Sequence, residues 1–414
     1  MKLKFLGGAR EVGRSGILLD TGKSRILMDY GVKIQPEPGE FPLVPEHVDA
    51  IIPTHAHLDH CGAIPMLAST KAPVYATSAT SELMGLLLRD FLKIAHIKNY
   101  PNRFSRDDLQ KSLARVRETR YEKEFAVKDA RCKLYDAGHI PGSAGVLVSS
   151  GKKNVYYTGD TKMLSQRLVD GCMLPSEKID TLIIESTYSD RNHPDQASNE
   201  LAFRHEVDEA LNMNEHVLVP SFAVGRAQEM LLTLKNYSNY LVVDGMAKEA
   251  TEIALRNRMY IRDFEGLRSV YNKCRKIKTE KQRAAALRRP SVIVSTSGML
   301  TGGPSAYYLR KIHDHRDSKV LFVGFQVEGS PGKTLMDTNM YKDDRDEYNV
   351  RCKISRFDFS AHAGKDELFS MIRKISPKRV VCVHGDKCPE FASEIRKTLG
   401  IDAFAPALGD ELEI

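Results

Sequence analysis

The sequence predicts an α/β protein of two domains, an αββα sandwich interrupted by an inserted α/β domain. Three observations predict it. Short apolar strands bounded by Gly, Pro or Asp fill the first 60 residues and recur between residues 131 and 184. From residue 197 onward, strands of continuous apolar character alternate with helices, the pattern of a parallel sheet covered on both faces. After Val350 the rhythm returns to single strands and helices, so the closing segment completes the first domain.

Taken in order, residues 3–6, 16–20, 25–30 and 50–54 read as strands. Residues 78–98 form a long amphipathic helix whose apolar side is expected to carry Leu83, Leu86, Leu87, Phe91 and Ile94. The second strand group is 131–135, 145–149, 154–158 and 181–184. The insert begins with helix 197–211, strand 216–220, helix 227–237, strand 240–243 and helix 247–256. Strands 291–295 and 319–324 follow, and strand 380–383 with helix 389–399 closes the chain. The expected boundaries are therefore 1–188, 189–349 and 350–414. No internal repeat is visible.

Composition narrows the class. Seven scattered cysteines, an odd number with no C-x-x-C pair, argue against a secreted disulfide framework and fit a reducing cytoplasm. The N-terminus has no apolar h-region, and no apolar stretch is long enough for a membrane span, so a cytoplasmic, membrane-free protein is expected. Net charge is only +7, yet 12 Lys/Arg against three Asp/Glu lie between Arg256 and Arg289. That run reads either as a solvated helical face or as a surface facing a polyanion.

The strongest local signal is Thr54-His55-Ala56-His57-Leu58-Asp59-His60, directly after an apolar strand. A strand ending in a tight loop converges imidazoles and carboxylate on one point, as zinc ligation requires. Three other strand ends offer further donors: Asp136-Ala137-Gly138-His139, Tyr157-Thr158-Gly159-Asp160 and Val383-His384-Gly385-Asp386. In each, glycine sits beside the donor and lets backbone approach closely.

These segments, with Gly138-His139-Ile140-Pro141-Gly142-Ser143-Ala144-Gly145, resemble the metallo-β-lactamase superfamily. The inserted domain resembles its β-CASP branch, which acts on nucleic acids. Residues 182–188 (LIIESTY) look like that branch's acidic motif, Phe359-Ser360-Ala361-His362-Ala363 like its second histidine motif, and Val383-His384 like its third. Residues 220–229 (PSFAVGRAQE) match the branch as well. Over the whole chain the sequence is most similar to archaeal homologues of the cleavage and polyadenylation specificity factor nuclease subunit, with RNase J next.

The resemblance implies two zinc ions. His55, His57 and His139 would hold one, and Asp59, His60 and His384 the other, with Asp160 bridging. Asp29 would orient a histidine ligand, its alternative role being to cap a turn. Hydrolysis of a phosphodiester needs a strong nucleophile at neutral pH and neutralisation of developing charge, and two metals supply both. His362, not needed by either metal, is the candidate acid for the leaving oxygen, with Glu185 orienting it. The expected activity is zinc-dependent cleavage of RNA, by endonucleolytic or 5′-to-3′ exonucleolytic attack. A DNA nuclease of the same branch and a non-catalytic RNA-binding subunit are the alternatives, and retention of every expected ligand argues against the second.

Other features stay open at this stage. The loop 295–304 (STSGMLTGGP) reads as a phosphate-facing nest or as a plain strand-to-helix turn. Arg226 and Arg310 are candidate phosphate contacts. No KH pattern precedes the first strand, which implies RNA binding by the cleft between the domains with weak sequence preference. The strand-like tail 403–414 is expected to pair, in a homodimer of the kind archaeal relatives form through their C-terminal region.

Overall fold

A computed structural model describes every residue except Pro36, Asn102, Asp344 and Arg345. The chain divides into two units, Met1–Asn192 with Ala361–Ile414, and His193–Ser360.

Among the described residues, the first unit holds two seven-stranded sheets. One runs from Glu411–Glu413 through Lys2–Gly7, Gly16–Asp20, Arg25–Met28, Ala50–Ile52 and Val74–Ala76 to Val116–Glu118. The other runs from Phe125–Val127 through Ala130–Asp136, Ala144–Ser150, Lys153–Tyr157, Thr181–Glu185 and Arg379–Val383 to Asp402–Phe404. Each begins with antiparallel pairings and ends with parallel ones. The two sheets thus repeat one pairing scheme without a repeat in the sequence.

Period-two alternation builds the sandwich. Leu3, Phe5, Ile17, Leu19, Ile26 and Met28 of the first sheet share a core with Cys132, Leu134, Val146, Val148, Val155 and Tyr157 of the second. The opposite face of the second sheet is buried as well. Leu147, Tyr156, Leu182, Ile184 and Val380 pack on Leu368, Phe369 and Ile372 of helix Lys365–Ile375 and on Phe391 and Ile395 of helix Cys388–Leu399. Strands covered on both faces read as continuous apolar runs for this reason.

Helix Ser78–Ile97 starts where the Thr77 hydroxyl accepts the Thr80 backbone N–H. Its buried line is Leu83, Met84, Leu88, Leu92 and Ala95, which corrects the expected stripe, and Ile94 is 44% exposed. Leu86, Leu87 and Leu88 are consecutive, so helical periodicity alone fits more than one face.

The second unit carries a six-stranded, all-parallel sheet in the order Arg275–Lys276, Leu241–Asp244, Ser291–Ser295, His216–Pro220, Lys319–Phe322, Lys353–Arg356. The last strand corrects the boundary expected at 349/350. Lys353–Arg356 pairs with Lys319–Phe322 and finishes this unit's sheet, and its half-polar edge sequence has too little apolar character to be recognised. The tail strands also find partners inside the chain: Asp402–Phe404 pairs with Arg379–Val383, and Glu411–Glu413 with Lys2–Gly7. All seven cysteines are free, and no described helix is long and apolar enough to cross a membrane.

In the first unit the loop after Ala50–Ile52 is laid against the end of Arg25–Met28. Tyr30 and Val32 donate backbone N–H groups to the carbonyls of His60 and Leu58, and Ser15 donates to that of Asp59, each at 2.8 Å. Gly31 is needed for this approach, because a Cβ there would fall 1.8 Å from the Asp59 carbonyl oxygen.

Candidate metal centre

Six strand ends of the first unit deliver the candidate residues. Asp29 follows Arg25–Met28, and His55 follows Ala50–Ile52. His139 follows Ala130–Asp136, Asp160 follows Lys153–Tyr157, Glu185 ends Thr181–Glu185, and His384 follows Arg379–Val383. His57 is the N-cap of the short helix Leu58–Cys61, which places Asp59 and His60 on its first turn. Asp29 and His384 both adopt left-handed backbone conformations, with φ of 59° and 52°. Such conformations are uncommon outside glycine and cluster at functional sites.

Among the described residues the donors form three groups that share Asp160, the third being Asp160 with Glu185 and His362. His55, His57, His139 and Asp160 make the first, and Asp59, His60, His384 and Asp160 the second, with one candidate ligand atom from each residue lying within 4.8 Å of the others in its group. Asp160 divides its oxygens between them. Oδ2 lies 3.6 Å from His55 Nε2 and 3.8 Å from His139 Nε2, whereas Oδ1 lies 3.3 Å from His60 Nε2 and 3.7 Å from His384 Nε2. His57 turns its Nδ1 toward His55 Nε2 at 3.1 Å and His139 Nε2 at 3.2 Å.

The outer nitrogen of each remaining imidazole is occupied. His60 Nδ1 donates to Asp29 Oδ2 at 2.7 Å, and His139 Nδ1 donates to the Ala361 carbonyl at 2.9 Å. His384 Nδ1 meets Ser15 Oγ at 2.8 Å, and His55 Nδ1 meets Thr54 Oγ1 at 3.1 Å. The Thr54 hydroxyl donates to Asp29 Oδ2, so it accepts from His55. Placing the protons on Nδ1 leaves Nε2 lone pairs converging on the Asp160 carboxylate.

Lone pairs that converge on one carboxylate suit cations. His60 Nε2 and Asp160 Oδ1 are both buried without a hydrogen-bond partner, an arrangement that costs free energy unless a metal completes it. Burial pushes the His55 and His139 imidazoles well below their ordinary range, keeping them neutral. Burial also opposes charge on His60, but Asp160, Asp29 and Asp59 outweigh it and hold that imidazole well above its usual range. Asp160, despite burial, is held well below the carboxylate range by His60, His384 and His362. The donor set of imidazoles and carboxylates therefore fits zinc or a similar divalent ion.

His362 stands beside the first two groups rather than in either. Its Nδ1 lies 3.2 and 3.1 Å from the two Glu185 oxygens and 4.0 Å from Asp160 Oδ2. Burial opposes its protonation, but Glu185 and Asp160 carry the balance and raise it above the ordinary imidazole range. Glu185 also accepts the Thr161 backbone N–H at 2.7 Å. The His362 loop is pinned again by Ala363 N–H to the Thr161 carbonyl at 2.6 Å and by Lys162 Nζ to the His362 carbonyl at 3.3 Å. His362 and Asp59, like His57, are partly open, with His362 and Asp59 side chains 21% and 30% exposed where Asp160 is at 2%.

Four participants escaped sequence reading. Ser15, Thr54, Tyr157 and Lys162 carry no motif of their own, and only the fold reveals them. Tyr157, whose hydroxyl donates to Asp29 at 2.9 Å, lies in the Tyr-Thr-Gly-Asp segment, where only the Asp was singled out. Asp29 does more than cap a turn: it accepts the Thr54 N–H at 2.6 Å as well as the His60, Thr54 and Tyr157 side chains.

In the second unit the open features resolve differently. Within the loop at 295–304, Thr301 N–H bonds to Ser297 Oγ, Leu300 N–H to the Ser297 carbonyl, and Ser305 N–H to the Thr296 carbonyl. Those donors serve the turn itself. Arg310 is paired with Asp346. Arg226, on the first turn of helix Arg226–Thr233, helps His193 to hold Asp358 at about 2 against burial. Parts of the basic run are internal too. Arg283 pairs with buried Asp244 at 2.6 Å, and Lys276 reaches the Tyr271 carbonyl at 2.5 Å. Lys273, Lys278, Lys281, Arg288 and Arg289 are exposed.

Fold and donor set together define a metal-dependent hydrolase of the αββα type carrying an inserted parallel α/β unit. Residues 16–220 match the Beta-lactamase superfamily domain, 227–335 the Beta-Casp domain, and 347–406 the Zn-dependent metallo-hydrolase RNA specificity domain. "Probable RNase MJ4" of Methanocaldococcus jannaschii is 36% identical, with all of both chains covered. "RNase aCSPSF2" of Saccharolobus solfataricus is 34% identical over all of this chain and 85% of its own length. "Transcription termination factor FttA" of Methanothermobacter thermautotrophicus is 34% identical over 98% of this chain and 70% of its own. A crystal structure of a protein of unknown function from Enterococcus faecalis shares the fold, with a TM-score of 0.61 at 13% identity over 100% of this chain and 99% of its own. The chain belongs to the β-CASP family of metallo-β-lactamase-fold proteins, alongside these archaeal relatives.

Asp29 tests the outer tier of this site. Asp29→Asn is expected to weaken zinc binding about 10- to 100-fold, read by competition with a chromophoric chelator, and to lower the melting temperature of the metal-free protein, because an amide cannot accept all four hydrogen bonds made to the carboxylate. Wild-type affinity in Asp29→Asn would remove Asp29 from the metal centre.

Proposed function

We propose that this chain is a dinuclear zinc ribonuclease, hydrolysing RNA phosphodiesters at the centre built around Asp160. The observation that carries the proposal is the divided carboxylate of Asp160, with an oxygen toward each of two imidazole sets. His55, His57 and His139 would hold one ion, Asp59, His60 and His384 the other, and Asp160 both. Bound zinc supplies a water of lowered pKa and positive charge against the phosphoryl oxygens. The names of the archaeal relatives and of the RNA specificity domain support RNA as substrate.

The chain's own residues supply the rest. Asp59, half open at the edge of the site, can bind an ion and also orient a water at it. His362 offers Nε2 to the substrate because Nδ1 is engaged by Glu185. It therefore holds a proton where a leaving oxygen would need one. The Thr161 N–H on Glu185 and the Lys162 ammonium on the His362 carbonyl keep that pair in register.

Metal analysis of the purified protein is expected to give two zinc ions per chain. Chelation, His57→Ala and Asp160→Ala should each abolish RNA hydrolysis, and full activity in a demonstrably metal-free preparation would end the proposal.

His362→Ala separates chemistry from metal binding. It should keep both zincs and RNA affinity while kcat falls by roughly 10²–10⁴. Glu185→Gln should do less, and the losses should not add in the double variant, because both act through one imidazole. A substrate with a better leaving group should partly rescue His362→Ala. Loss of zinc together with activity would make His362 a ligand instead.

For the second unit, the exposed cations Lys273, Lys278, Lys281, Arg288 and Arg289 are the ones to replace, since Arg275 and Lys276 lie half-buried on an edge strand. Neutralising them should weaken binding alike for unrelated RNA sequences and flatten the salt dependence. An unchanged salt slope would leave this run a solvated face.

A further inference from the structure

The acidic strand Thr181–Glu185 runs on through Ser186, Thr187 and Tyr188 to Arg191, a segment to which the reaction described above gives no task beyond Glu185. The Tyr188 ring is buried, and its centroid lies 5.9 Å from that of His362. The Arg191 guanidinium carbon stands over the same ring, 4.7 Å from its centroid. One aromatic ring therefore carries both the candidate acid and a cation.

Arg191 is built to present its charge. Its backbone is fixed at both ends, with Arg191 N–H donating to the Tyr188 carbonyl at 3.4 Å and Lys365 N–H donating to the Arg191 carbonyl at 2.9 Å. Its side chain is 52% exposed, and its ion pair is with the adjacent Asp190, itself 45% exposed, at 3.7 Å. An exposed pair of that length contributes little and exchanges readily for a better anion. Stacking on Tyr188 holds the planar fork in place, so little side-chain freedom is lost when it binds.

We infer that Arg191 binds the RNA phosphodiester next to the scissile one, on the leaving-group side. The inference rests on the ribonuclease reading. If His362 protonates the leaving oxygen, the nucleotide that departs lies on the His362 side of the metal centre. The backbone phosphate it carries then faces the cation that shares the Tyr188 ring. A guanidinium suits that anion, since its paired N–H donors match two phosphate oxygens. The contact is to backbone, so it positions the strand without reading sequence. Arg191 is thus a positioning residue that sets which linkage lies against His362.

The test pairs Arg191→Gln and Arg191→Lys with single-stranded RNA in which one phosphodiester at a time is replaced by a neutral methylphosphonate. Zinc-loaded protein is used, and binding and cleavage are both measured. In the wild type, neutralising the linkage on the leaving-group side should weaken binding about tenfold, the size of one charge-assisted hydrogen bond. Arg191→Gln should show that loss with unmodified RNA and lose nothing further on the neutral linkage. Its zinc content should stay near wild type, the loss should fall more on KM than on kcat, and its salt slope should fall by about 0.7, one single-strand phosphate contact. Arg191→Lys should keep most of the salt slope while recovering only part of the affinity. If both proteins respond alike to every methylphosphonate, Arg191 touches no phosphate. If kcat falls with affinity unchanged, Arg191 serves only to brace Tyr188 and His362, and the inference fails. Wild-type protein that binds RNA but does not cleave it would overturn the ribonuclease reading separately, because the binding comparison stands without hydrolysis.

Discussion

Asp160 is the constraint on which the rest of the first unit depends. Its carboxylate is almost entirely buried, and one of its oxygens has no hydrogen-bond donor. A buried carboxylate is tolerated when positive charge stands on it. Here imidazoles from the ends of both sheets surround it, so the carboxylate ties the two halves of the sandwich at one edge. The backbone bends to make this possible. Gly159 takes a φ of 56°, and a Cβ there would come within 2.7 Å of the Thr54 side chain. Thr54 in turn donates to Asp29 and meets His55. The close passage at Gly159 therefore brings the Asp160 strand onto the network that orients the histidines.

The outer tier shows how the fold prepares the site. Asp29, Thr54, Ser15 and the Ala361 carbonyl each hold the far nitrogen of an imidazole, so the inner nitrogens are aimed at the Asp160 carboxylate. Left-handed backbone at Asp29 and His384 costs about 1 kcal/mol or more at each position. Strain of that size persists only where surrounding structure fixes it, and at Asp29 four hydrogen bonds to one carboxylate do so. Rigid donors bind metal tightly because little ordering remains to be done.

Strand ends were legible in the sequence because they combine two signals, a continuous apolar run and a polar donor beside glycine. His139, Asp160 and His384 follow that rule, and His55 is marked instead by the dense His/Asp run after Ala50–Ile52. Ser15 could not be found this way, since a lone serine in a glycine-flanked loop has many uses and becomes a partner of His384 only when Lys2–Gly7 pairs with Gly16–Asp20. Lys162 is hidden for the same reason, as a lysine that buries its charge on a carbonyl looks like any surface lysine in one dimension. Strand Lys353–Arg356 was missed because edge strands need bury little, and its apolar signal is a single isoleucine. The stripe on helix Ser78–Ile97 was misplaced because three leucines in succession fit several helical faces. What failed in each case was local pattern where tertiary context decides.

The division of the chain carries one more step. All seven candidate metal donors, with Glu185, His362 and Arg191, belong to the first unit, Met1–Asn192 with Ala361–Ile414. In the proposed ribonuclease, bond cleavage would be assembled from first-unit residues, since the described residues of the inserted unit add no donor to these groups. Long polyanions are held by many weak backbone contacts spread along the strand, and five exposed cations between Lys273 and Arg289 supply charge of that kind. Phosphate contacts of this sort fix register and carry no sequence information. In the proposed ribonuclease, selectivity would follow from which stretch of the strand reaches His362, and Arg191, which shares the Tyr188 ring with that imidazole, is the cation placed to influence it.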